Sequence, residues 1–118
     1  TLAGANTIST NTYYYGRLCK LPTGSHAEDT QDYYKFYVPS TANVYISLLL
    51  PSNADFDLEL YNPSGVLTSY SRTNQDGGYE TIYINPIGIS GYWTIRVYTT
   101  EYYADRSNGE YQVRVDQT

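Results

Sequence analysis

Along most of the chain large apolar residues recur at every second position, which is the period of a half-buried strand. In residues 32–38, DYYKFYV, the side chains of Tyr34, Phe36 and Val38 share one face and those of Tyr33, Lys35 and Tyr37 the other. Turn residues Pro39, Ser40 and Thr41 follow, and NVYISLLL repeats the alternation with Val44, Ile46, Leu48 and Leu50 inward. Pro51, Ser52 and Asn53 end that segment. ADFDLELY places Phe56, Leu58 and Leu60 on the core side and Asp57 and Glu59 toward solvent, and Asn62-Pro63-Ser64-Gly65 is a strong turn signal. Three antiparallel strands in succession are the simplest arrangement of these segments.

The second half keeps the rhythm. Segments 66–71 and 79–84 flank a polar loop containing Asn74, Asp76, Gly77 and Gly78. Gly91 opens YWTIRVY, with Trp93, Ile95 and Val97 inward, and Asn108-Gly109 leads into EYQVRV, with Tyr111, Val113 and Val115 inward. No segment sustains a 3.6-residue apolar period. Short strands punctuated by Gly, Pro and Asn predict an all-β fold, an antiparallel β-sandwich or jelly roll of about eight strands. The first thirty residues read differently: 1–12 is small and polar with Leu2 and Ile8 as its large apolar residues, then come Tyr13, Tyr14 and Tyr15, a short strand over 17–21 and a polar loop over 22–31.

Length allows one core, so residues 1–118 are expected to form a single β-sandwich domain. Composition adds an unusual feature, 16 Tyr against 2 Phe and 1 Trp with no Met. Tyrosine covers a sheet face while its hydroxyl stays wet, which suits both a two-sided sheet and a contact surface. A formal charge of -5 with 7 unclustered Lys and Arg argues against a nucleic-acid partner and against an anionic membrane surface. No apolar run approaches the ~18 residues needed to span a bilayer. The chain begins at Thr1 without an initiator Met, which fits a mature form after signal-peptide removal or a piece cut from a longer protein; a secreted, extracellular or cell-surface location is the expectation. There is no Asn-x-Ser/Thr sequon, so N-glycosylation is not expected.

Candidate chemistry is sparse. His26 lies in a Gly/Ser loop without the context of a nucleophile elbow or zinc helix, and the single Cys19 allows neither an internal disulfide nor a metal site. No catalytic residues are expected, and enzyme activity is not. Carboxylates form two clusters, Glu28/Asp29/Asp32 before the first strong strand and Asp55/Asp57/Glu59 along another. Asp29 and Asp32 could hold Ca2+, which takes six to eight oxygens, or could cap a turn. For Asp57 and Glu59 the alternation favours a solvated face over a metal.

From Glu28 onward the ordered segments EDTQDYYKFYV, NVYISLLLPSNADFDLELYNPSG, SGYWTIRVY and NGEYQVRV resemble the bacterial and archaeal pre-peptidase C-terminal domain, over about three quarters of the chain. The resemblance implies a jelly-roll sandwich, appended to secreted peptidases and other surface proteins and not itself catalytic. It is also related to the collagen-binding domains of clostridial collagenases, which implies a binding or localising role and a structural calcium in some members. In calcium-binding relatives two Asp residues three apart precede the aromatic strand, a spacing that Asp29 and Asp32 match; the acidic N-terminal stretch that completes their site corresponds here to TLAGANTIST, which has no carboxylate.

Two functions are expected from these readings. The first is a homo-oligomeric or polymeric extracellular structural protein, the subunit of a surface fibre or layer, in which residues 1–12, through Leu2 and Ile8, complete a sheet of the neighbour. The second is an accessory domain that localises or stabilises a secreted peptidase or surface protein on an extracellular polymer. Its contact candidates are Tyr33, Tyr37, Tyr98, Tyr102 and Tyr103. The fibre is slightly favoured on sequence alone.

Overall fold

The computed structural model describes residues 4–18, 31–51, 55–72, 77–84, 88–99 and 110–118. Expectations placed on Leu2, Cys19, His26, Glu28, Asp29, Tyr102 and Tyr103 fall outside these residues. The described residues form nine strands: β1 (Asn6–Thr7), β2 (Tyr13–Arg17), β3 (Gln31–Val38), β4 (Val44–Leu49), β5 (Asp57–Tyr61), β6 (Leu67–Ser71), β7 (Tyr79–Ile84), β8 (Gly91–Tyr98) and β9 (Glu110–Gln117). They build a five-stranded sheet, ordered β1-β3-β8-β5-β6, against a four-stranded sheet, ordered β2-β9-β4-β7. All pairings are antiparallel except that of β1 with β3.

The alternation fixes which side chains meet between the sheets. Tyr34, Phe36 and Val38 of β3, Leu58 and Leu60 of β5 and Trp93, Ile95 and Val97 of β8 pack against Ile46 and Leu48 of β4 and Tyr111, Val113 and Val115 of β9 in one buried cluster. Each such apolar side chain contributes about 1.5–3 kcal/mol by leaving water. The β3/β8 register sets Phe36 opposite Trp93 and Tyr34 opposite Ile95, so the two strands share one inner face along their whole length.

Pairing order differs from the expected run of three neighbours. β3 and β5 both flank β8, whereas β4 lies in the opposite sheet between β9 and β7. Period-two patterning states which face of a strand is buried, and both sheets bury a face against the same core, so the pattern does not choose the neighbour. Most of the expected strand over 17–21 lies outside the described residues; β2 runs from Tyr13 to Arg17 and pairs with β9 from Arg114 to Glu110.

The N-terminal segment is engaged within its own molecule. Asn6 and Thr7 pair with Tyr34 and Lys35 of β3, the Ile8 amide donates to the Lys35 carbonyl at 2.8 Å, and the Ile8 side chain joins the core. Asn11, at φ 61°, then turns the chain toward the other sheet; its amide donates to the Val115 carbonyl at 2.6 Å and its Oδ1 accepts from the Gln117 amide at 3.1 Å. The predicted turn after β5 forms as read: Asn62 Oδ1 accepts from the amides of Ser64 and Val66, and Gly65 takes the left-handed conformation there at φ 83°.

Candidate binding face

Outward residues of the four-stranded sheet form a grid fixed by the strand registers. One row across the strands is Tyr15, Gln112, Leu49, Tyr79; the next is Tyr13, Arg114, Ser47, Thr81; the third is Asp116, Tyr45, Tyr83. Ser47 and Thr81 are small, while the rows on either side carry Leu49 with Tyr79 and Tyr45 with Tyr83. The difference in height opens a depression of about 550 Å³ over the middle row. Tyr13, Tyr79 and Tyr83 are each more than half exposed and Tyr45 is 41% exposed, so these rings present surface to solvent rather than to the core.

Charge within this face is internally balanced. Arg114 Nε donates to Asp116 Oδ1 at 2.6 Å, two residues along the same strand, and that hydrogen bond holds the Arg114 pKa above its ordinary value. The same guanidinium lies 4.7 Å from the Tyr13 ring centroid. Tyr45 and Tyr83 face one another with ring centroids 6.3 Å apart at 57°. The floor offers a hydroxyl at Ser47 and at Thr81 and an amide at Gln112.

The outer face of the five-stranded sheet is built differently. Glu59, expected to be solvated, is 4% exposed because two arginines close over it: Arg72 Nη2 donates at 2.5 Å, Arg96 Nη1 at 3.0 Å and the Tyr61 hydroxyl at 2.6 Å. Burial pushes the Glu59 carboxyl up, and the hydrogen bonds from Tyr61, Arg96 and Arg72 outweigh it, leaving the pKa below the ordinary value. Burial and the Glu59 hydrogen bond raise the Tyr61 hydroxyl to about 12. Tyr98, expected as an exposed contact residue, is 6% exposed; Arg96 stacks on its ring at 4.0 Å and Arg72 Nε donates to its hydroxyl at 2.8 Å. Long arginine side chains thus cover outward positions that alternation assigns to water. Tyr33 is half-buried and donates to Gln31 Oε1 at 3.2 Å. Tyr37 is exposed and packs edge-on against Tyr92 at 5.4 Å. Among the five contact tyrosines named from sequence, Tyr37 is thus the exposed one within the described residues.

Asp32 has the inward parity of Tyr34, and the Tyr111 phenol reaches across the sandwich from β9 to both. The Tyr111 hydroxyl donates to Asp32 Oδ2 at 2.5 Å and lies 2.6 Å from the Tyr34 hydroxyl. Burial, together with the neighbouring Tyr34 and Asp32, raises the Tyr111 pKa far above the ordinary tyrosine value. The ring reaches this position because residue 16 is glycine; a Cβ there would overlap the Tyr111 hydroxyl.

The second acidic cluster is rearranged. Asp55 and Asp57 converge with Glu80, rather than with Glu59, their carboxylate oxygens lying within 4.8 Å of one another. Glu80 faces inward from β7, fully buried, and accepts from Ser71 Oγ at 2.7 Å. Asp55 Oδ1 and Asp57 Oδ1 are buried and accept no hydrogen bond, although both residues have interactions through other atoms. The signal for this grouping would have been Glu80 standing at an inward position of YETIYI.

Comparison with known proteins supports the fold and the family. The family model for the bacterial pre-peptidase C-terminal domain matches residues 30–99. The crystal structure of the pre-peptidase C-terminal domain of a Bacillus anthracis collagenase superimposes with a TM-score of 0.64 at 25% identity, covering 95% of this chain and 94% of that one. A periplasmic inhibitor of g-type lysozyme from Salmonella Typhimurium aligns with a TM-score of 0.49 at 19% identity, over 97% of this chain and 100% of that one. No curated protein sequence matches. With the family model covering 70 of the 118 residues, the chain belongs to the bacterial pre-peptidase C-terminal domain family.

Proposed function

We propose that this chain is a non-catalytic accessory module that holds a secreted peptidase or another surface protein against an extracellular polymer, and that the outer face of its four-stranded sheet makes the contact. Domains of this family are found in secreted bacterial peptidases, which supports both the accessory role and an extracellular location. The observation that carries the choice of face is the depression of about 550 Å³ between exposed tyrosines. Tyrosines that merely solvated a sheet would gain nothing from being set apart by Ser47 and Thr81; rings flanking a recess offer a ligand contact area at little rotamer cost. The purified domain is expected to sediment with insoluble extracellular polymer, and Tyr45→Ala with Tyr79→Ala to weaken retention at least about tenfold, the equivalent of about 1.4 kcal/mol. Retention unchanged in that double variant would rule out this face.

Calcium at Asp29 and Asp32 belongs to the same proposal as a stabilising ion. Its measurement is the melting temperature in millimolar calcium against chelator, with a fall in chelator expected. The fibre reading is the lesser one. Strand exchange would first have to release Asn6 and Thr7 from β3 and Ile8 from the core, and the intact chain is expected to sediment as a monomer of 13.4 kDa. Filaments at neutral pH would restore the fibre to first place.

A further inference from the structure

Resting on that reading of the four-stranded face, we infer that the ligand is a neutral polysaccharide, bound as a single chain lying across the strands. The direction follows from the grid. The middle row runs from Tyr13, whose ring closes one end, through Arg114 to the small Ser47 and Thr81, one residue per strand. The bounding rows, Leu49 with Tyr79 and Tyr45 with Tyr83, are four residues apart on their strands, about 13 Å. From the Tyr13 wall on β2 to Thr81 on β7 the trough is about 14 Å long. Arg114 does not fill it, because its guanidinium is drawn aside to Asp116 and over the Tyr13 ring.

Four features select the occupant. An extended peptide binds a sheet best by adding to an edge, but this trough crosses β9 and β4, whose backbone groups are paired on both sides. An anionic polymer would need a surplus cation, whereas Arg114 is matched by Asp116 and the chain carries -5 overall. A proline-rich segment brings carbonyl acceptors and few donors, which would offer no N–H to the second Asp116 oxygen, the first being held by Arg114, or to the Gln112 carbonyl. A neutral sugar chain meets every group present: its ring hydroxyls donate and accept toward Ser47, Thr81, Gln112 and Asp116, and its C–H faces lie on the electron-rich faces of Tyr45 and Tyr79. Removing a hydroxyl partner from such a site leaves a buried polar group unsatisfied, so recognition is sharp although no charge is used.

The test is co-sedimentation of the purified domain with microcrystalline cellulose, chitin and insoluble β-1,3-glucan, with fibrous collagen and a sulfated polysaccharide as comparators, at low and high salt. Retention by at least one of the three neutral polysaccharides, unchanged by salt, is expected. It should fall at least about tenfold in Tyr79→Ala and in Ser47→Tyr, which fills the trough without changing strand patterning. Tyr92→Ala, on the opposite sheet, should bind as the parent does, and circular dichroism verifies that each variant is folded. Retention on collagen alone, lost in Tyr79→Ala, would overturn the polysaccharide inference while leaving the accessory binding role intact. Retention on the sulfated polymer alone, abolished by salt, would overturn it likewise. Retention on none of the five polymers would overturn both.

Discussion

Tyr111 and Glu59 show how a single position governs its neighbourhood. Tyr111 crosses from one sheet to groups on the other, so Tyr111→Phe deletes a hydroxyl and with it the hydrogen bonds to the Tyr34 hydroxyl and Asp32 Oδ2. A loss of about 1–3 kcal/mol is expected, read as a lower midpoint in urea with unchanged slope. Glu59 supplies a pH dependence. Its folded pKa is depressed, so the stability it brings is complete above the ordinary value of 4.5 and is lost as pH falls through the lower folded value. Glu59→Gln should destabilise the protein at pH 7 by about 1–3 kcal/mol, the pair being partly exposed on the arginine side, and should flatten the acid limb of the stability curve. Little of this was readable beforehand. Alternation describes a strand alone and so assigns Glu59 to solvent, while its burial is decided by side chains arriving from elsewhere, Arg96 from β8 and Arg72 from beyond β6; the tie between Asp32 and Tyr111 of β9 is hidden for the same reason.

At the level of elements the legible part was larger. Nearly every segment of alternating residues became a strand with the inward set assigned from sequence, from Phe36 to Val115, because burying one face is a property each segment carries by itself. Leu58→Ala should therefore cost about 2–5 kcal/mol, as expected for a cavity opened at the centre of β5, and equilibrium unfolding would register it directly. What was not legible was partnership. The alternation of β4 is the same whether it lies beside β3 or beside β9, and the trough exists only because Ser47 lies next to Thr81 in one register and next to Arg114 in the other. A sequence shows three isolated small or polar residues; a sheet makes them a channel. The tyrosines chosen from sequence lay mainly on β3, β8 and the segment after it, while those that wall the trough are on β2, β4 and β7.

For the molecule as a whole, both limits of pH act through the five-stranded sheet and the core behind it. Tyr61, raised to about 12, and Tyr111, raised further, stay protonated in the folded state after their unfolded counterparts ionise near pH 10. Their contribution is fully present below pH 10 and is lost as pH rises beyond it. Alkaline unfolding should begin there, and ultraviolet difference absorbance should show part of the 16 tyrosines ionising only as the fold is lost. A tyrosine titration complete while circular dichroism remains native would contradict this. At acid pH the limit is set by Glu59 and its arginines on the five-stranded sheet. The four-stranded face, where Arg114 is paired with Asp116 and Arg17 with Glu110, lies on the other side of the core from that cluster.

The close approach of Gly16 to the Tyr111 hydroxyl carries an evolutionary consequence. Neither position can drift alone: a side chain at 16 collides with the tyrosine, and a shorter residue at 111 leaves a hole above the glycine and a severed link to Asp32. Across relatives the two sites should covary as a unit, a larger residue at the first appearing where the second has lost its phenol, and Gly16→Ala should be tolerated in a Tyr111→Leu background while damaging the parent sequence.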